Sequence, residues 1–181
     1  MDVFEAIQKR REITKYKSDP IPDEVLKKVA DAGYYAPSGN NLPSKHLIVV
    51  QNKETLRALG ETTPYMTWLD GAQAAIVVTG VPEASKYWLQ DASIASGFIW
   101  LEAVEQGLGA AFGAIYHATD EKESMERETH VRKRLNLPAS HRIVAALGLG
   151  YPDEQLDPKQ HLPREEIVHY ESYRSMNADG Q

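Results

Sequence analysis

Residues 88–106, WLQDASIASGFIWLEAVEQ, carry apolar side chains around most of a helical circumference, so a helix here is either central to the fold or part of an interface. Ala92, Ser93, Ser96 and Gly97 recur within it at spacings of three and four, leaving room for another backbone or a planar ligand to come close. Gly107 to Gly109 ends the helix. The other segments must pack around this one.

Asp2 caps a first helix on which Val3, Phe4 and Ile7 share one apolar face. Pro20-Ile21-Pro22-Asp23 opens a second, with Val25, Leu26, Val29, Ala30 and Gly33 at the spacing of a buried face. The apolar run at 46–51 reads as a strand, a helix begins near Lys53, and Ala74 to Thr79 reads as a strand buried on both faces. Residues 110–116 form a further strand, 119–136 an exposed helix stopped by Pro138, and 143–149 the last clear strand. Helices mixed with about four strands give an α/β or α+β layered fold in one domain spanning 1–181. From about residue 153 a polar, loop-like extension follows, too poor in apolar residues to fold by itself; such a tail often wraps a neighbour, and whether this one does is left open by the sequence.

The formal charge of −6 excludes a general phosphate-reading surface, so nucleic acid is not an expected partner. The absence of cysteine removes disulfides, thiol nucleophiles and thiolate metal sites, and it fits the cytoplasm. The N-terminus lacks a secretory apolar core, and Asp91, Glu102 and Glu105 interrupt the most apolar stretch, so no membrane insertion is expected. The six histidines show no metal-ligand spacing, and no GxSxG elbow surrounds Ser38 or Ser96.

Two features carry chemistry. The stretch YAPSGNNLP at 35–43 packs Pro, Gly, Ser and Asn between a helix and a strand, which makes it either an ordinary connection or a loop shaped for a ligand. Lys9, Arg10 and Arg11 with Lys15 and Lys17 form the densest basic patch of an acidic chain; this is either a solvated helix end or one half of a phosphate site completed by Lys159, His161 and Arg164. The run Gly107-Leu108-Gly109-Ala110-Ala111-Phe112-Gly113 follows a helix, whereas a dinucleotide fingerprint follows a strand, so it reads as a helix cap entering a strand.

Taken in order, KRREITKY at 9–16, PIPDEVLKKVADAGYYAPSGNN at 20–41, DASIASGFIWLEAVEQGLGAAF at 91–112, LGLGYPDE at 147–154 and LPREEIVHYESY at 162–173 resemble the flavin-dependent nitroreductase family. The resemblance implies an α+β fold with a central mixed, mostly antiparallel sheet flanked by helices, and a homodimer with the long central helix at its interface. It implies flavin mononucleotide (FMN) between the subunits, with NADH or NADPH as hydride donor and a nitroaromatic, quinone or similar acceptor. The flavin would carry the chemistry, so no catalytic side chain is expected. Relatives that dehalogenate, dehydrogenate or cleave flavin offer an alternative chemistry, and a weak flavin-binding or phosphate-ligand-binding dimer without turnover is a third reading.

By the same resemblance, Ser38, Gly39 and Asn41 would touch the flavin across the dimer. Arg10 and Arg11 match the family's first basic motif, while Glu12 stands where a serine is usual and Thr14 where a basic residue is usual. Lys159 and His161 occupy the C-terminal basic positions, His161 in place of an arginine. The backbone of Phe112, Gly113 and Ala114 would lie beside the flavin's reactive edge. Tyr65, Met66 and Trp68 are either slot-lining or packing residues.

Overall fold

A computed structural model describes residues 1–157 and 159–173. Its helices are α1 (Val3–Lys9), α2 (Asp23–Tyr35), α3 (Lys53–Gly60), α4 (Trp88–Glu105), α5 (Glu121–Leu135) and a single turn, α6 (Arg164–Ile167). Its strands are β1 (Lys45–Val50), β2 (Ala74–Gly80), β3 (Gly109–Ala114) and β4 (Arg142–Gly150), in the order β1-β2-β4-β3, every neighbour antiparallel. One parallel bridge, Glu12 to Ala110, adds the N-terminal segment beside β3. The sheet is therefore the mostly antiparallel one expected. The helical turn α6 corrects the reading of the tail as loop throughout: Pro163 precedes it, a residue suited to a helix start.

Local chemistry explains the element ends. Asp2, Asn52 and Asp120 each accept a hydrogen bond from the backbone N–H three residues on, capping α1, α3 and α5. Gly107, at φ 75°, turns the chain out of α4 in the left-handed region that glycine adopts without penalty.

The sheet is covered on both sides. Ile76, Val78, Leu147 and Leu149 face Leu26 and Val29 of α2 and Ala92, Ile99 and Ala103 of α4. Ala75, Val77, Ile143 and Ala146 face Leu56 and Leu59 of α3, Leu69, and Val131 of α5. The central strands β2 and β4 are buried over almost their whole length, which is why they read as continuous apolar runs without alternation. A single buried carboxylate, Glu128 on α5, ties that helix to the sheet: it accepts from the Arg142 guanidinium (2.8 Å), the Ile143 N–H (2.9 Å) and the Ser124 hydroxyl (3.0 Å).

Two apolar faces are left uncovered. Val3, Phe4 and Ile7 of α1 are 72%, 65% and 49% exposed, and Ile94 and Phe98 lie on the outer side of α4, where a Cβ on Gly97 would meet nothing within 4 Å. The central helix thus buries one stripe and exposes the other. Among the described residues no helix is long and apolar enough to cross a membrane.

Candidate functional site

The 36–45 loop is built around a carboxylate that sequence patterning marks only as an interruption of an apolar stretch. Asp91, 3% exposed on the first turn of α4, accepts from the Gly39 N–H (2.9 Å) through one oxygen and from the Ser44 hydroxyl (2.5 Å) through the other. The helix N-terminus favours the negative charge there. Lys45 donates to the Ala36 carbonyl (2.6 Å) and closes the loop at its base. Asn40 and Asn41 sit at φ 53° and 56°, a conformation that asparagine tolerates better than most residues. A Cβ on Gly39 would stand 2.6 Å from the Tyr87 ring, so the close approach demands glycine unless Tyr87 shifts.

What the loop offers outward follows from what it spends inward. The Ser38 hydroxyl donates to the Leu42 carbonyl (2.8 Å), leaving its oxygen as an acceptor. Asn41 is exposed, and its side-chain amide makes no hydrogen bond among the described residues. Both line an open cleft of about 780 Å³, together with Tyr34, Tyr35, Lys45 and His46. Tyr34 and Tyr35 meet edge to face, 5.0 Å apart, and are 70% and 77% exposed.

The basic group gathers along β3, at the other edge of the sheet. Ile13 donates to the Ala110 carbonyl (3.0 Å), setting residues 10–14 beside this strand. The Arg10 guanidinium lies 4.7 Å over the Trp100 ring, and that ring stacks parallel to Phe112 with centroids 6.5 Å apart. Trp100 therefore links Arg10 to Phe112, and its indole N–H donates to the Arg11 carbonyl (3.3 Å). No signal in the sequence distinguished Trp100 from the rest of the long helix. Arg11 spends one terminal nitrogen on the carbonyls of Gln8 and Arg10, while its Nε is buried without a partner among the described residues. Glu12 is exposed.

Thr14 does not stand free. Its N–H donates to Glu154 (2.7 Å), as does the Lys15 N–H (3.1 Å), and these bonds hold the Glu154 carboxyl below the usual carboxylate range. Gly113 is buried against Met66, and the Ala114 carbonyl accepts from Arg127 (3.2 Å). Lys159 and His161 are exposed and make no hydrogen bond or ion pair among the described residues.

The two groups do not meet within one chain. Strands β2 and β4 separate β1 from β3, about 14 Å at the usual interstrand spacing. Asp91 and Trp100, which anchor the two groups on α4, are nine residues apart, again about 14 Å of helix. Met66 and Trp68 resolve in favour of packing: Met66 is 2% exposed, and the Trp68 ring lies against Gly148. Tyr65, at 83%, projects into solvent.

The nitroreductase family profile matches residues 7–63 and 60–151. A protein of Methanothermobacter thermautotrophicus, provisionally named an NADH dehydrogenase/NAD(P)H nitroreductase, is 36% identical over 157 residues, spanning 85% of this chain and 79% of its own. An FMN reductase [NAD(P)H] of Bacillus subtilis is 27% identical over 188 residues, 95% of this chain and 74% of its own. The solved structure of an FMN-dependent nitroreductase from Clostridium difficile superposes with a TM-score of 0.84 at 31% identity, covering 93% of this chain and 98% of that one. By the extent of the profile match and by this identity, the chain belongs to the nitroreductase family.

Proposed function

We propose that the protein is an FMN-dependent oxidoreductase that works as a homodimer, taking hydride from NADH or NADPH and reducing a nitroaromatic, a quinone or a similar small acceptor. The observation that carries this reading is the division of the candidate site: an Asn41 side-chain amide without a hydrogen bond among the described residues beside Ser38 at one edge of the sheet, and Arg10, lying over the Trp100 ring, with Arg11 at the other. A second copy related by a two-fold axis supplies each group with its complement. The uncovered α1 and α4 faces and the exposed Tyr34 and Tyr35 give such a dimer its apolar contact.

The donors present suit a flavin phosphate. The Arg10 guanidinium makes no hydrogen bond among the described residues, and Arg11 Nε is a buried donor awaiting an acceptor. Arg10, Arg11 and Lys159 hold the phosphate, with His161 beside them. The exposed Glu12 is an unfavourable charge beside them, and its backbone remains usable. Ser38 and Asn41 from the other subunit bond the polar edge of the cofactor, with Gly39 keeping their loop tight against α4. The backbone of 112–114, held by Met66 on one side and by Arg127 on the other, orients the ring. FMN held by these residues would supply the redox chemistry, hydride transfer between the nicotinamide and the acceptor. No side-chain acid or base is assigned. A cysteine-free acidic chain that uses NADH or NADPH fits the cytoplasm.

The test is the visible spectrum of the purified protein after incubation with FMN and desalting, then after anaerobic addition of NADH or NADPH. A retained flavin band that bleaches with a nicotinamide supports the proposal. Protein that stays colourless refutes it in favour of a non-catalytic phosphate-ligand binder. Retained flavin that a nicotinamide does not reduce favours a different chemistry on the same fold.

A further inference from the structure

Residues 14–17 run antiparallel to residues 151–154. Lys17 donates to the Tyr151 carbonyl (2.8 Å), Asp153 donates to the Lys15 carbonyl (2.9 Å), and Tyr16 bridges to Pro152. At the end of this ribbon a single oxygen of Glu154 takes the N–H groups of Thr14 and Lys15, with the Thr14 hydroxyl farther off at 3.5 Å. A carboxylate on two backbone N–H donors makes charge-assisted bonds, stronger than those of a neutral acceptor. The charged groups around it are Lys15, which favours the carboxylate, and Glu12, which with Glu154 bears on the Tyr16 phenol.

The position of this clasp gives it a meaning. Upstream of Thr14 by three and four residues lie Arg11 and Arg10; downstream of Glu154 by five and seven lie Lys159 and His161. Neither side chain has a hydrogen bond or ion pair of its own among the described residues. The tail leaves the domain where Glu154 fixes it, and five residues of chain keep Lys159 within about 17 Å of that point.

We propose that Glu154 is a positioning residue, whose grip on the 14–15 backbone presents Lys159 and His161 to the same phosphate as Arg10 and Arg11. This rests on the FMN reading above. The same contact has an opposing side: Glu154 occupies N–H groups that an anion would itself seek, and as a competitor it would weaken phosphate binding. The main-chain pairing of 15–17 with 151–153 argues for the clasp, since it brings the carboxylate into register without any ligand.

The experiment titrates the full-length apoprotein with FMN, by quenching of flavin fluorescence, in wild type, Glu154→Ala, Glu154→Gln, Lys159→Ala and the Glu154→Ala/Lys159→Ala double variant. Glu154→Ala is expected to raise Kd about tenfold through lost preorganisation. Glu154→Gln, which keeps an acceptor oxygen, is expected to recover most of the affinity. Lys159→Ala is expected to weaken binding in wild type but much less in the Glu154→Ala background, a coupling that general loosening of the fold does not produce. Unchanged affinity in Glu154→Ala, or strictly additive losses, overturns the proposal. Tighter binding in Glu154→Ala overturns it in favour of the competitor. Wild-type protein that takes up no FMN overturns the flavin reading itself, a result separate from wild type binding and Glu154→Ala binding equally well.

Discussion

Replacing Asp91 by alanine should damage stability and ligand affinity together, because one buried carboxylate holds the 36–45 loop. The substitution strips acceptors from the Gly39 N–H and from the Ser44 hydroxyl, which is 0% exposed. A buried donor left without a partner costs about 1–3 kcal/mol, and relief from keeping a charge desolvated returns part of the sum, so a net loss of about 3 kcal/mol is expected. For a chain of this length that corresponds to a fall in Tm of about 6–12 °C by calorimetry. Asp91→Asn keeps one acceptor oxygen but puts an amide against Ser44, and about half the loss is expected. Because Asp91 and Ser44 share a bond, a cycle of Asp91→Ala, Ser44→Ala and the double variant should show coupling of about 1 kcal/mol or more. If the loop also delivers Ser38 and Asn41 to the partner's flavin, FMN affinity should fall beyond what the lost stability explains. An Asp91→Ala protein melting within about 2 °C of wild type, or a cycle without coupling, refutes the anchoring role.

Asn41→Ala should raise the Kd for FMN about fivefold, the worth of one hydrogen bond near 1 kcal/mol, with Tm unchanged since the amide is exposed; equal titrations would remove Asn41 from the site. Glu128→Ala should cost about 3–5 kcal/mol in urea unfolding, because the Ile143 N–H loses its partner and the Arg142 guanidinium its counter-charge. His141 has its pKa lowered by burial, by His46, whose ring lies 4.7 Å away, and by Arg132. A histidine that binds its proton less readily when folded leaves the unfolded chain holding more protons, so its stabilising share is complete above the unfolded value of about 6.5 and is lost as pH falls from there toward the lowered one. Thermal melts between pH 7.5 and 5.5 should therefore drop less in His141→Gln than in wild type. Gly148→Ala should destabilise by about 1–3 kcal/mol, because its Cβ would stand 2.5 Å from the rigid Trp68 ring; a neutral melt would show that Trp68 repacks.

Local chemistry made much of the chain readable in advance. The apolar spacing on α2, the unbroken apolar run of β2, the charged helix α5 and the stop at Gly107 each depend on residues within a few positions of one another, so periodicity and turn preferences report them directly. The expectation that α5 is exposed is corrected: it buries Ser124, Glu128 and Val131, because a paired carboxylate can enter the interior and a charged sequence does not show that pairing. Patterning also marked Val3, Phe4 and Ile7 as one apolar face. It did not say that this face would be left uncovered, since that depends on which helix α1 packs against.

The site divides in the same way. That Ser38, Asn41, Arg10 and Arg11 were worth singling out followed from residue type, order and resemblance. Their distribution between opposite edges of the sheet follows from the strand order β1-β2-β4-β3, which non-adjacent segments settle by pairing. Asp91 and Glu154 bond backbone and hydroxyl donors 47 to 140 positions away, and a carboxylate bound to main-chain N–H groups leaves no trace in the pattern of side chains. The sequence by itself thus determined the elements and the chemistry available to them. Only the tertiary structure decided which carboxylates hold the loop and the tail, and that one chain presents its candidate site in two halves, because both depend on contacts between segments far apart in the chain.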